Sequence, residues 1–276
     1  MSDLTARTAI DTSRPHPARI WNYWLGGKDN YAVDREIGDE LLAIFPGMVD
    51  VARQSRAFLG RVVRFLAADA GIWQFLDIGT GLPTADNTHE VAQRVTPTAR
   101  VVYVDNDPLV LVHARALLTS GPKGECAYID SDVRNPDKIL AEAGQTLDFT
   151  QPIAVMMLGV LGHVPDEDAP ETIVARLVSS MPSGSYLVIN DGTNVLHGQA
   201  PGEPAEESAR ARAVGRYVAA GGTPYHLRTP ERIKGYFADL ELVDPGIVST
   251  SQWRARLDSS DPPAAIDAFC GVGRKP

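Results

Sequence analysis

A glycine-rich turn between two apolar runs constrains the fold of this chain more than any other feature. Residues 75–81 read Phe-Leu-Asp-Ile-Gly-Thr-Gly, and the next apolar run, Val-Val-Tyr-Val, ends at Asp105. An apolar run, a glycine turn, a helical stretch and a second apolar run describe one βαβ unit. A carboxylate at the end of its second strand can accept hydrogen bonds from ribose hydroxyls. The pattern therefore predicts a parallel α/β sheet that binds a nucleoside.

The residues around the turn favour S-adenosylmethionine over a dinucleotide. A dinucleotide turn needs a third glycine at position 84, where this chain has Thr84. Asp77 precedes Gly79 by two positions, and its carboxylate would repel a pyrophosphate but attract an ammonium or a sulfonium. After a third predicted strand, Asp132 can accept from an adenine amino group, and Asp130 competes with it for this role.

The order of these groups resembles that of the class I S-adenosylmethionine-dependent methyltransferases. Residues 14–31, RPHPARIWNYWLGGKDNY, together with 240–246 and 252–254, are similar to a largely uncharacterised bacterial methyltransferase-like family. The resemblance covers roughly residues 14–256 and implies a Rossmann-like methyltransferase fold, with S-adenosylmethionine as cofactor and S-adenosylhomocysteine as product. It implies no particular acceptor. The chain departs from the wider class at Pro83, where many members have a third glycine.

Alternating segments from residue 73 onward predict the architecture. Strands are expected at about 73–78, 100–105, 125–129, 152–158 and 184–190. Helices are expected at about 84–95, 108–119, 135–142, 168–181, 205–219 and 230–238. Two closing strands are expected near 240–243 and 265–272, one of them antiparallel. Such alternation predicts a doubly wound, mostly parallel sheet covered by helices on both faces, with an antiparallel strand at its edge.

Helical periodicity also predicts three helices before the first strand, at about 17–25, 32–44 and 48–69. We expect one domain over residues 1–276, in which residues 1–72 form a helical lid segment and residues 73–276 form the α/β core.

The lid segment is rich in aromatic residues. Tyr23 or Tyr31 is predicted to lie against the sulfonium through cation–π attraction. Lys28 or Asn30 is available to the cofactor carboxylate. Core packing of these aromatic side chains is the alternative interpretation.

An open parallel sheet binds its ligand beyond the carboxyl ends of its strands. The predicted cofactor-binding residues at these ends are Asp77, Gly79, Thr80, Gly81, Asp105, Asn106, Asp132, Val133 and Leu158. Methyl transfer needs mainly alignment, and a base only when the nucleophile carries a proton. His163, just past the fourth strand, and Asp191, at the end of the fifth, are the candidate bases. A structural role in a loop is the alternative for each.

Composition limits the partners. The net charge of −9 argues against nucleic acid, and no stretch reaches the apolar length of a membrane span. No signal-peptide pattern and no metal-ligand spacing is visible. We expect a cytoplasmic protein that binds a small-molecule acceptor and no metal, with its oligomeric state open. Two alternatives to a methyltransferase remain: a non-catalytic S-adenosylmethionine-binding module, and a nicotinamide-dependent oxidoreductase, which Asp77 and Thr84 disfavour.

Overall fold

The computed structural model describes residues 11–83, 86–117, 123–196, 208–255 and 263–276. Within these ranges eight strands form one sheet: β1 Gln74–Ile78, β2 Arg100–Asp105, β3 Glu125–Asp130, β4 Ala154–Leu158, β5 Tyr186–Gly192, β6 Glu241–Leu242, β7 Val248–Ser249 and β8 Ala268–Arg274. Their order is β3-β2-β1-β4-β5-β8-β6, and β7 pairs with β8.

The sheet is mostly parallel, as predicted. β1 to β5 all pair in parallel with their neighbours. β8 is antiparallel to β5, and β6 is antiparallel to β8, so β6 runs in the same direction as the first five strands. One of the two predicted closing strands is therefore antiparallel to the rest, and this prediction is confirmed. The short β7 was not predicted.

Nine α-helices lie in the described ranges. They are α1 Pro17–Trp24, α2 Ala32–Ile44, α3 Met48–Ala68, α4 Thr88–Val95, α5 Pro108–Leu117, α6 Pro136–Ala143, α7 Pro170–Ser180, α8 Ala209–Ala219 and α9 Pro230–Gly235. None of the helices in the described ranges combines the length and the apolarity that crossing a membrane requires.

Strand periodicity divides the core into two apolar layers. In β4, Val155 and Met157 pack on one side with residues of α6, α7 and α9, while Ala154 and Met156 pack on the other side with α3 and α4. Alternate side chains of a strand point to opposite faces, so a continuous apolar run such as Ala154–Leu158 is buried on both. The sheet is thus covered on both faces, in agreement with the doubly wound prediction.

The helices before the sheet form a third apolar cluster. Ile20 and Trp24 of α1 and Leu41 of α2 pack there with Val51 of α3 and with α8. The cluster reaches the sheet at residue 268, which pairs with the last residue of β5. The first three helices therefore lie beside the carboxyl end of the sheet.

Two helices begin four residues later than predicted. α4 begins at Thr88 because Asn87 and Glu90 form a capping box, in which the backbone N–H of Asn87 donates to Glu90 Oε2 at 2.8 Å. α8 begins at Ala209, where the Ser208 hydroxyl caps the helix. The predicted helical residues 84–85, 118–119 and 205–207 lie outside the described residues, as do residues 1–10 of the lid segment.

Candidate functional site

A cavity of ≈ 370 Å³ lies at the carboxyl ends of the parallel strands. Its walls include every strand-end residue predicted to bind the cofactor and both candidate bases: Asp77, Gly79, Thr80, Gly81, Asp105, Asn106, Asp132, Val133, Leu158, His163 and Asp191. The other walls come from α1, α2, α3 and α8, which pack together in the third apolar cluster, and from residues 223–227 between α8 and α9.

Hydrogen bonds connect the glycine turn after β1 to β2. Gly79 has φ +75°, and its N–H donates to the Val104 carbonyl at 2.8 Å. A Cβ at this position would lie 2.5 Å from Val160 Cβ, so both the backbone angle and the close approach require glycine. Gly81, at φ +67°, donates its N–H to Asp105 Oδ2 at 2.8 Å.

Asp105 joins the turn to the loop that follows β2. Its Oδ2 accepts from Gly81, and its Oδ1 accepts from the Asp107 N–H at 2.9 Å. Each carboxylate oxygen has capacity for a further donor. Burial raises the pKa of Asp105. Hydroxyl donors from a ligand would stabilise the charged form and offset this effect.

Asp77 is buried beneath the turn. The Thr88 hydroxyl donates to Asp77 Oδ2 at 2.6 Å, but burial dominates and raises the pKa of Asp77 to about 6. The Arg56 guanidinium also acts on this carboxylate and lines the cavity, where it donates to Asn87 Oδ1 at 3.0 Å. Arg56 comes from α3, far from the strand-end motifs, and sequence reasoning missed it.

The Asp132 carboxylate is held by a guanidinium. Arg134 donates to its two oxygens at 2.8 and 2.7 Å, and Asn106 Nδ2 donates to Oδ2 at 3.0 Å. These bonds, with that from Arg134 the largest cause, lower the pKa of Asp132 to about 2. An adenine amino group would therefore be an additional donor on an ionised carboxylate that already has partners.

The structure does not bring the four predicted lid contacts to the cavity wall. The Tyr23 hydroxyl donates to Asp39 at 2.7 Å, and Lys28 is exposed. Asn30 Nδ2 donates to Asn22 Oδ1 at 3.0 Å, and Tyr31 precedes α2 as its N-terminal cap. The periodicity of α1 directs other side chains to the cavity, among them Ala18, Trp21 and Trp24.

A histidine that sequence reasoning missed joins the start of α1 to the cofactor side of the cavity. His16 Nδ1 lies 3.0 Å from Asp107 Oδ2, and the His16 N–H donates to Asp34 Oδ1 at 2.9 Å. Asp107 is two residues beyond Asp105, so this pair connects the first helix to the loop that carries the predicted ribose ligand.

His163 lines the cavity, and one of its ring nitrogens is held by a hydrogen bond. Its Nδ1 lies 3.1 Å from the Pro224 carbonyl, which can only accept, so Nδ1 carries the proton. No hydrogen bond from a described residue reaches Nε2, the nitrogen with the free lone pair. Burial lowers the pKa of His163 to about 4. The imidazole is therefore neutral near pH 7 and keeps a lone pair, and it is a weaker base than an ordinary histidine.

Neighbouring groups donate hydrogen bonds to one oxygen of Asp191, Oδ1, and leave Oδ2 buried with only an ion pair. The Tyr225 hydroxyl and the Gly192 N–H both donate to Oδ1, the second at 3.0 Å. Arg228 Nη1 lies 3.5 Å from Oδ2, and the same guanidinium donates to the Leu161 and Val164 carbonyls, each at 2.6 Å. Burial raises the pKa of Asp191. These contacts favour a role in holding Tyr225 and Arg228 over one as a base.

The walls on the helical side are mainly apolar. They carry Trp21, Trp24, Leu41, Met48, Val51, Ala213 and Leu227. Two arginines on this side are charged, Arg56 of α3 and Arg210 of α8. Arg210 is buried, donates to the Asp267 carbonyl and lies 5.8 Å from the centre of the Phe45 ring. In the described part of the chain, no three His, Cys, Asp or Glu side chains converge in a group that could hold a metal ion.

Comparison with known proteins places this geometry in a family. The sequence profile of the S-adenosyl methyltransferase family matches residues 3–276. The chain is 42% identical to a DUF574 family protein from Streptomyces avermitilis MA-4680, with a TM-score of 0.88 over 97% of this chain and 100% of that one. It is 38% identical to a protein from Thermobifida fusca YX described as a candidate methyltransferase, with a TM-score of 0.85 over 99% of each chain.

Solved structures of much lower sequence identity resemble this chain in fold alone. The plantazolicin methyltransferase BpumL, solved with S-adenosylhomocysteine, is 12% identical, with a TM-score of 0.51 over 94% of this chain and 95% of that one. No curated protein matches the sequence.

Proposed function

Because the chain belongs to the S-adenosyl methyltransferase family, we propose that it transfers the methyl group of S-adenosylmethionine to a small-molecule acceptor bound in the same cavity. Family membership removes the nicotinamide-dependent oxidoreductase from consideration. The acceptor and the residues that act on it are the new part of the proposal.

Support for the cofactor site comes chiefly from the bond between Gly81 N–H and Asp105 Oδ2, at 2.8 Å. This contact brings the glycine turn and the second-strand carboxylate, distant in sequence, to one wall of the cavity. We assign the ribose hydroxyls to Asp105 and the adenine to the wall formed by Asp132, Val133 and Leu158. Gly79, Thr80, Gly81 and Asn106 complete the cofactor wall.

The two ends of the methionine moiety would meet opposite charges at one place. Asp77 suits the ammonium, because a cation beside a buried carboxylate stabilises its ionised form. Arg56 suits the carboxylate, and it replaces Lys28 and Asn30, which lie away from the cavity wall. Tyr23 and Tyr31 are likewise left out of the proposed cofactor site.

The apolar wall between α1, α2, α3 and α8 is proposed as the acceptor-binding region. S-adenosylmethionine supplies a methyl group already activated on a sulfonium, so this chain has to align the acceptor and exclude water. Side chains such as Trp24, Leu41 and Met48 provide an apolar surface for both purposes. Residues 1–72 thus serve as the acceptor-binding segment and lid of the domain formed by residues 1–276.

His163 is the proposed base for an acceptor that must lose a proton. Its Nδ1–H bond to Pro224 fixes the ring and leaves Nε2 as the proton acceptor. Asp191 is proposed to act through Tyr225, whose ring lies 4.9 Å from that of His163, and so to position the base rather than replace it.

Calorimetry and a transfer assay test this proposal. Titration with S-adenosylhomocysteine should give saturable binding, while titration with NAD should give none. Radiolabelled S-adenosylmethionine, incubated with the protein and a panel of small phenols, amines and carboxylic acids, should release labelled product with at least one class. Binding of NAD in place of S-adenosylhomocysteine would contradict the cofactor assignment. Cofactor binding with no transfer to any acceptor would favour a non-catalytic binding module.

A further inference from the structure

A second cavity, of ≈ 330 Å³, lies on the solvent-facing side of α3. It is lined by four arginines of this helix and by the small residues between them: Arg53, Arg56, Ala57, Gly60, Arg61 and Arg64. We call this cavity the arginine groove. Apart from Arg56, which also lines the proposed cofactor site, its arginines lie outside that site.

Helical spacing builds the groove. Positions 53, 57, 60 and 64 follow one another along one face of a helix. The small residues Ala57 and Gly60 form the floor of the groove, and no atom would lie within 4 Å of a Cβ placed at Gly60. The long side chains of Arg53 and Arg64 stand at the two ends of this floor, and both residues are exposed. The arrangement leaves room for a ligand between guanidinium groups.

The groove carries net positive charge within a chain whose net charge is −9. Asp86 is the acidic residue of its lining, and Arg94 already pairs with that carboxylate. Arg61 donates to the carbonyls of Trp253 and Thr250, which do not neutralise it. Among the described residues, no carboxylate lies within ion-pair distance of Arg53 or Arg64. These cations are available to an anion.

The arginine groove adjoins the main cavity. Leu25, at the end of α1, and Arg56 line both. On the α3 helix, the side chains that face the main cavity are apolar ones such as Val51 and Leu59, and Arg56 lies between them and the groove. A ligand that extends past Leu25 would therefore pass from an apolar wall to a cationic one.

We propose that the methyl acceptor is an amphipathic acid, with its apolar body in the main cavity and its phosphate or carboxylate group in the arginine groove. This inference rests on the proposed function. Arginine suits the task because its planar guanidinium binds carboxylate and phosphate oxygens through paired hydrogen bonds. The groove thereby selects acceptors by charge at a place distant from the reacting atoms.

Two fluorescent probes with the same apolar body test the groove. Anilinonaphthalene sulfonate carries an anion, and N-phenylnaphthylamine does not. The Arg53→Gln/Arg64→Gln variant should bind the sulfonate roughly tenfold more weakly, as expected for the loss of about 1.4 kcal/mol of charged contact. It should bind the neutral probe as the unaltered protein does. The Arg176→Gln/Arg274→Gln variant removes two exposed arginines from other surfaces, where they pair with Asp137 and Glu241, and should bind both probes normally.

Competition then identifies the anionic group. Decyl phosphate and decanoate are titrated against the bound sulfonate probe, and the stronger competitor assigns the groove to phosphate or to carboxylate. Equal sulfonate affinity in the two double variants, or displacement by neither competitor, would overturn the proposal. S-adenosylhomocysteine titration of the same proteins keeps the tests separate, since failure of the unaltered protein to bind it would contradict the proposed function instead.

Discussion

The two sides of the main cavity are built in different ways. On the cofactor side, backbone groups determine the geometry: the N–H groups of Gly79 and Gly81 are bonded to β2 and its terminal carboxylate, each at 2.8 Å. On the side proposed for the acceptor, the wall is made of side chains from four helices, and their mutual packing places them.

This difference shows which parts of the site can vary. A wall built from backbone tolerates few substitutions, because the turn needs a positive φ and a close approach to Val160. A wall built from helical side chains can change residue by residue while the helices still pack. Substitutions on the helical wall are thus compatible with an unchanged cofactor wall.

The largest expected effect is on the cofactor side, at Asp105. Two hydroxyl donors to a charged acceptor contribute roughly 1.5–3 kcal/mol each. Asp105→Ala should therefore weaken S-adenosylhomocysteine binding by about two to four orders of magnitude in calorimetric titration. Asp105→Asn should be intermediate, because one oxygen remains an acceptor. Binding within threefold of the unaltered protein, in a variant whose circular dichroism is unchanged, would remove Asp105 from the site.

On the acceptor side, His163→Gln tests the proposed base. Losing a general base costs roughly a hundredfold in turnover or more, while affinity for S-adenosylhomocysteine should stay the same. The rate of the unaltered protein should be flat above pH 5 and fall as pH drops through about 4, because the imidazole must be neutral to accept a proton. A rate that instead titrates near the ordinary histidine value of ~6.5 would contradict the buried environment.

Asp77→Asn separates stability from binding at one cofactor residue. The pKa of Asp77 is raised from its ordinary value of 3.8 to about 6 in the folded protein. Between these two pH values the unfolded chain is ionised and the folded protein still holds its proton, so the free energy of unfolding falls as pH rises from 3.8 to about 6. At neutral pH the ionised carboxylate costs at most ~3 kcal/mol, and asparagine should recover part of it in urea unfolding. Affinity for S-adenosylmethionine should nevertheless fall, because the ammonium loses its anion. Lower stability together with unchanged affinity would contradict both the energetic cost assigned to the buried carboxylate and its contact with the ammonium.

The smallest expected effects are on stability, when alanine replaces either of two glycines of the same turn. Gly79→Ala adds a Cβ 2.5 Å from Val160 at a positive φ, whereas Gly81→Ala meets nothing within 4 Å and has only the φ penalty. We expect roughly 1–3 kcal/mol of destabilisation for Gly79→Ala and about 1 kcal/mol for Gly81→Ala, measured by thermal or urea unfolding. Equal losses would show that the contact with Val160 relaxes freely.

Much of the cofactor side could be read directly from the amino-acid order. Apolar runs predicted the strands β1 to β5, and segments between them predicted the helices. The carboxyl ends of parallel strands meet at one edge of a sheet by geometry. Asp77, Gly81, Asp105 and Asp132 each follow or end a strand, so their positions along the chain already implied that they converge. The glycine spacing and the acidic residues together indicated the cofactor.

Only the tertiary structure decided the rest. An amphipathic helix such as α1 has two partly apolar sides, and the sequence does not say which side faces α2 and which faces a cavity. For this reason the sequence predicts a contact between Tyr23 and the cofactor, whereas the Tyr23 hydroxyl donates to Asp39 in the structure. Arg56 and Arg210 reach the site from helices distant in sequence, which no local spacing can reveal. The pKa of His163 near 4 likewise depends on burial by neighbours from elsewhere in the chain. Local order determines which elements form, whereas long-range packing determines which side chains they present to one another.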